Sequence, residues 1–405
     1  MDISAHRRQP IHTVYGGAHL FKADTASRLG ATALRALDEH APDAATLASV
    51  LDIAPAAADR VYTRVREKLQ REPVEDFRLD FEDGYGNRTD AEEDGHAASA
   101  ANEVAAAAAR GTAPPFIGIR IKNLGDELRD RALRTANLFL DRLLTAWPGT
   151  LPSNFVVTLP KITARGQVAR LASTFDEIER RHALAAGSLR MELMVETPFS
   201  IFDDRGAVSL PSLVAEGGGR VTAAHFGTYD YTASLGITAA YQHMRHPVCD
   251  FARGVMQVAL AGSNVWLSDG ATNVLPVGKD RGTIHRAWRL HHDDIRHSLT
   301  NGFYQGWDLH PAQLVTRYAA VFAFFLESLD AASERLRNFI GKAAQATLVG
   351  EVFDDAATGQ GLLNFFLRAL NCGAVREEEI GALTGLTLEE LRSGSFVKIV
   401  KGRRG

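Results

Sequence analysis

The chain has 405 residues, a formal charge of −4, 45% hydrophobic and 23% charged residues, a composition that excludes a disordered or collagen-like chain and fits a globular one. That near-neutral balance gives no global reason to expect nucleic acid, and two cysteines, Cys249 and Cys372, support neither a disulfide framework nor a thiolate zinc site. No apolar run has the length of a membrane helix and the start MDISAHRRQP lacks a signal-peptide core, so the expectation is a cytoplasmic protein with no membrane or nucleic-acid partner.

Along the chain, short β-branched or aromatic runs recur, each closed by a turn signal and followed by helical periodicity. HTVYGG (12–17) precedes a helix over 24–40 and a helical insertion over about 43–70. FRLDFEDG (77–84) leads to an acidic-headed helix over 90–110, in which the alanine run near 105 is helix filler. FIGIRIKN (116–123) is followed by a helix over 126–147, and FVVTLPK (155–161) by one over 165–183. MELMVET (191–197) and AAHFGTYD (223–230) come next, the second ahead of a helix over 248–261. NVWLSDG (264–270) precedes a helix over 283–301, and GWDLHP (306–311) is the eighth strand. Parallel neighbours need crossover connections, and these gaps supply them. The series therefore predicts an α/β chain, a (β/α)8 TIM barrel over 1–315, with an α-helical extension over 316–405 broken around FDDAATGQG (353–361).

In such a barrel the C-terminal strand ends form the rim where catalytic groups gather. Strand two ends in Asp80, Glu82 and Asp83; strand three carries Arg120 and Lys122; strands four to eight end at Lys161, Glu196, Asp230, Asp269 and His310. So many charges at one end of apolar strands each need a partner or a metal. Glu196 and Asp230 leave adjacent strands with no histidine or cysteine nearby, a pair that suits a hard ion such as Mg²⁺, or Mn²⁺ in its place, as metal ligands. The competing reading makes Glu196 a helix cap and Asp230 an acceptor of turn amides. Thr197 and Pro198 fit the cap and first position of the helix that follows.

The order RLDFEDG, IRIKN, LPK, VET, HFGTYDYTASLG and GWDLHP resembles the citrate lyase β subunit and malyl-CoA lyase family of HpcH/HpaI aldolase type, within the phosphoenolpyruvate/pyruvate-binding barrel superfamily. The match runs from about 12 to 315. The resemblance implies an Mg²⁺-dependent carbon-carbon lyase, often a homotrimer or hexamer, with Glu196 and Asp230 on the metal. It implies further that Arg120 grips the substrate, and that Glu82 and Asp83 hold the waters of the metal. It also implies an acid on a C-terminal segment, for which Asp355 is the match, with an Asp-rich helix cap as the other reading. Two departures stand out. Lys122 takes the asparagine position after the arginine, and Gly306 stands where the family writes a lysine, which weakens a CoA thioester as substrate and raises a free 2-oxo or hydroxy acid.

Other residues have competing readings. Lys161 is a candidate substrate contact or Schiff-base lysine, with metal catalysis preferred. His19 and Lys22, just past the first strand, are candidate substrate contacts, as is Lys122. HRAWRLHHDD (285–294) reads as a solvated helix face rather than a zinc site, and His310 as a hydrogen-bonded structural histidine. The functional expectation is an aldol or Claisen lyase acting on a small oxo or hydroxy acid or its thioester. Its alternatives are a thioester hydrolase, a phosphoenolpyruvate-utilising enzyme, or a non-catalytic oxo-acid binder.

Overall fold

The computed structural model describes residues 8–147, 150–348 and 356–403. In chain order it has β1 (His12–Gly17), α1 (Thr25–His40), α2 (Ala44–Leu51), α3 (Pro55–Arg71), β2 (Asp76–Asp80), α4 (Asp90–Arg110), β3 (Phe116–Arg120) and α5 (Arg129–Ala146). Then come β4 (Phe155–Leu159), α6 (Arg165–Arg181), β5 (Arg190–Val195), α7 (Pro198–Ile201), α8 (Leu210–Glu216), β6 (Val221–Phe226), α9 (Thr228–Ser234) and α10 (Pro247–Leu260). The barrel ends with β7 (Trp266–Ala271), α11 (Arg281–Thr300), β8 (Gln305–Asp308) and α12 (Gln313–Leu326). Beyond it lie α13 (Leu329–Leu348), α14 (Ala356–Cys372), α15 (Ile380–Thr384), α16 (Leu388–Arg392) and α17 (Phe396–Gly402).

The strands close in sequence order, β1 to β8 and back to β1, every pair parallel. The α/β TIM barrel expected from the repeating units is what forms. Local chemistry explains the boundaries. Thr89 and Glu92 make a capping box at the head of α4, and Gly111, at φ 67°, ends that helix in the left-handed region. Helix α12 is buried along nearly its whole length, and the 315/316 division falls inside it. Of the expected break over 353–361, residues 356–361 begin α14, while 353–355 lie outside the described residues. Among the described residues no helix is long and apolar enough to cross a membrane.

Inside the barrel, mid-height, polar side chains meet. Arg78 donates from Nη1 and Nη2 to Asp76 at 3.0 and 2.7 Å, and from Nη2 to Glu192 at 2.8 Å. Thr13 donates to Asp76 at 2.7 Å and Thr158 to Glu192 at 3.0 Å. Gly118 makes room for this layer, because a Cβ there would come within 2.8 Å of Arg78 Nη1 and 2.1 Å of the Val156 carbonyl.

Candidate active site

Strand two stops where its own side chain closes a turn. Asp80 Oδ1 accepts from the Glu82 amide at 3.0 Å and Oδ2 from the Gly84 amide at 2.7 Å, so FEDG is loop rather than strand. The same carboxylate grips Arg120, which donates from Nε to Oδ1 at 2.8 Å and from Nη2 to Oδ2 at 2.6 Å. This bidentate pair fixes the guanidinium plane. Arg120 also lies 4.8 Å from the Tyr15 ring and 6.0 Å from the Trp307 ring, a cation-π floor between the rim and the interior layer. Its Nη1 faces Glu82 at 3.3 Å and Asp83 at 3.7 Å. Nη1 is thus the one terminal nitrogen of Arg120 turned to the rim acids and not held by Asp80.

Lys161 follows Pro160 at φ 49°, in the left-handed region, and its amide donates to Glu196 Oε1 at 2.7 Å. The ammonium pairs with Glu82, lies 3.0 Å from both Asp83 oxygens and 3.5 Å from Asp230 Oδ2. Burial opposes that charge, but Glu82 and its acidic neighbours outweigh burial and raise the pKa above the ordinary lysine value. A Schiff-base lysine needs a neutral amine, so this environment argues against that chemistry.

Glu196 is 2% exposed. Burial, then the Asp230 charge, push its carboxyl up to about 8 against the opposing pull of Arg120 and Lys161. Gly227 is required beside it, since a Cβ there would lie 2.3 Å from Glu196 Oε2. The helix-cap reading of Glu196 fails, because Thr197 caps α7 by accepting from the Ser200 amide at 3.2 Å. Asp230 sits in the first turn of α9 with its side chain 41% exposed; its one ion pair among the described residues is with the Lys161 ammonium. Glu82 is pushed up to about 7, first by burial and also by Asp83, with Arg120 and Lys161 opposing. Burial also raises Asp83, but Arg120 and Lys161 bring it net below the usual carboxylate value.

Five carboxylates, Asp80, Glu82, Asp83, Glu196 and Asp230, thus face two cations, Arg120 and Lys161. The pair Glu196 and Asp230, with oxygens not taken by arginine, fits a hard divalent ion whose shell water and substrate complete. Among the described residues no group of three or more His, Cys, Asp or Glu forms a ready metal cage, so the fit is of this two-carboxylate kind.

Other rim residues lie elsewhere. Lys122 donates to the Phe81 carbonyl at 2.9 Å, pairs with Glu93 and lies 5.2 Å from the Tyr85 ring. His19 joins that second group, 5.4 Å from Tyr85 and 5.6 Å from His96. Lys22 pairs with Glu103 at 3.2 Å. Asp269 turns to Arg253 at 2.9 Å and Ser298 at 2.6 Å, between β7 and the outer helices, so it is not part of the rim cluster. His310 Nδ1 accepts from the Ala312 amide at 3.2 Å, the structural role expected of it. The histidine and acid side of HRAWRLHHDD is not solvated: His291, His292 and Asp294 are buried, His291 Nδ1 bonds Thr316 at 2.6 Å, and its Nε2 lies 3.1 Å from Asp308. Asp355 lies outside the described residues. Sequence reasoning missed Tyr15, Trp307, Gly227 and the anchoring role of Asp80. The alternation of charge in DFRLD, every second residue, was the available signal for Asp80.

A family model described as "Domain of unknown function (DUF6986)" matches residues 4–399. No curated protein matches the chain. Among solved structures, a citrate lyase of Burkholderia xenovorans LB400 is 19% identical, with 93% of this chain and 96% of that one covered and a TM-score of 0.59. A Haloferax volcanii malate synthase magnesium/glyoxylate complex is 13% identical, covers 98% of each chain and has a TM-score of 0.50. The same organism's malate synthase, native at 3 mM glyoxylate, is 15% identical over 93% of this chain and 94% of that one, also with a TM-score of 0.50. At such identities the likeness is one of fold.

Proposed function

We propose, for a chain that belongs to the DUF6986 family, a divalent-cation-dependent carbon-carbon lyase of aldol or Claisen type acting on a small 2-oxo or hydroxy acid. The observation that carries this reading is the carboxylate excess at the rim, where Glu196 is held up to about 8 beside Asp230. Uncompensated acids at the ends of adjacent strands are costly unless a cation joins them.

Glu196 and Asp230 would hold Mg²⁺, which when bound supplies positive charge to an oxygen that becomes negative as the adjacent carbon-carbon bond breaks. The chain's own residues do the rest. Arg120, its plane set by Asp80, offers Nη1 to a substrate carboxylate or carbonyl oxygen. Glu82, held up to about 7, can take or return a proton near neutral pH while Arg120 and Lys161 keep it in place. Tyr15 and Trp307, with ring centroids 4.5 Å apart, close the floor and keep bulk water from below.

Gly306 does not decide between a free acid and a thioester: a Cβ there would lie 3.0 Å from both terminal nitrogens of Arg317 on α12, on the outer side of β8, while Trp307 beside it faces Arg120. The test is a thermal-shift series on metal-stripped protein with Mg²⁺ and glyoxylate, pyruvate, oxaloacetate, phosphoenolpyruvate or acetyl-CoA, repeated with Asp230→Asn. A metal-dependent rise with an oxo acid, lost in the variant, supports the reading. No rise with any oxo acid, and a variant that behaves like the parent, would sink it.

A further inference from the structure

Lys161 touches both proposed metal ligands with different atoms. Its backbone amide donates to Glu196 Oε1 at 2.7 Å, and its ammonium lies 3.5 Å from Asp230 Oδ2. The ammonium is also 3.0 Å from both Asp83 oxygens and paired with Glu82. It therefore stands among the acids where a second positive charge would have to settle. Its φ of 49° is a conformation that L residues adopt at a cost, and here the Glu196 carboxylate holds the amide that this conformation presents.

Two cations sharing one carboxylate at such range repel strongly in a partly buried site. The side-chain stem of lysine rotates freely, whereas the amide bond to Glu196 is anchored in the backbone. Of the two tethers, the Asp230 contact is the one that can be given up.

Resting on the metal reading above, we propose that Lys161 is a resident counter-cation. Its ammonium neutralises Asp230 and Asp83 when no divalent ion is bound and competes with that ion for Asp230. Once displaced, it turns to the anionic end of the substrate. Metal loading and the substrate contact are thereby coupled through one side chain, and the site is prevented from standing open with unpaired acids.

The measurement is the affinity of Mg²⁺ and Mn²⁺ for the substrate-free protein by isothermal titration calorimetry, in the parent, in Lys161→Asn and in Lys161→Arg. Asparagine tolerates the left-handed backbone and removes the charge. The expected result is binding about tenfold tighter in Lys161→Asn and unchanged in Lys161→Arg, as removal of one close like charge predicts. Equal affinity in parent and Lys161→Asn would overturn the competition while leaving the metal site standing. Absence of binding in all three would instead defeat the metal reading itself. Amine labelling of the unmutated protein, read by mass spectrometry, gives a second test that does not depend on the variant's folding. Mg²⁺ should increase labelling of Lys161, and protection or no change would count against displacement.

Discussion

In the middle of the barrel Arg78 meets Asp76 and Glu192 inside a shell of threonine hydroxyls, whereas one level higher Arg120 and Lys161 face five acids. Both layers use carboxylates and guanidinium in a barrel whose walls are apolar. The interior layer is closed. Burial works to raise both of its acids; Arg78 and then His225 bring Glu192 down to about 2, while Asp76, buried beside the Glu192 charge, stays raised, so one guanidinium serves two carboxylates. The rim is open, and its excess acid appears as the raised carboxyls of Glu196 and Glu82. The interior layer pairs each of its acids with Arg78 or a threonine hydroxyl, whereas at the rim five acids share two cations.

The largest effect that would test this contrast is Arg78→Met. It strands two buried acids in the closed layer, and a loss of about 3–5 kcal/mol in urea unfolding is expected. A loss below about 1 kcal/mol would mean that the interior layer is not the structural one.

Glu196→Gln probes the open layer with the opposite sign. The folded-state value of Glu196 is about 8 against an ordinary 4.5, so the metal-free protein keeps a proton that the unfolded chain gives up. The stability this group contributes is present below the ordinary value and is lost as pH rises through about 8. Between those values the slope is at most about 1.4 kcal/mol per pH unit. Midpoints measured from pH 5 to 8 without metal should fall with pH in the parent and fall less steeply in Glu196→Gln, where Glu82, held up to about 7, still gives the profile a slope. A parent profile that rises over this range would contradict the buried-acid account.

The smallest effect is Tyr15→Phe, at the boundary of the two layers. Among the described residues the buried Tyr15 hydroxyl has no hydrogen-bond partner, so its removal should leave stability within about 0.5 kcal/mol or raise it slightly. A loss well beyond that in thermal unfolding would show that the hydroxyl is satisfied and that the layers communicate through it.

Much of this arrangement was legible along the chain. The eight units, the insertion now seen as α2 and α3, and the exits of Glu82, Asp83, Arg120, Lys161, Glu196 and Asp230 followed from periodicity and turn chemistry, which are local. Lys122 and Asp269 read the same way and yet sit apart. In a strand the facing alternates residue by residue, and a turn after the strand resets it, so an ionisable residue near an exit can end inside or outside the barrel. Lys122 lies past the end of β3 and bonds the Phe81 carbonyl, and Asp269 faces Arg253 on α10. The buried face of α11 was misread for a related reason: His291 is polar in sequence and is buried because Thr316 and Asp308 supply its partners.

The sequence by itself determined the fold and the kinds of charge at the rim, because strand and helix periods and turn residues act over a few positions. Only the tertiary structure decided which charges share a partner. Asp80 is committed to Arg120, Lys161 stands between Asp83 and Asp230, and Glu196 is buried against Gly227. Those pairings depend on distances of a few ångströms between strands far apart in the chain, and Coulomb and desolvation energies at that range set which acids share a cation and which are pushed up.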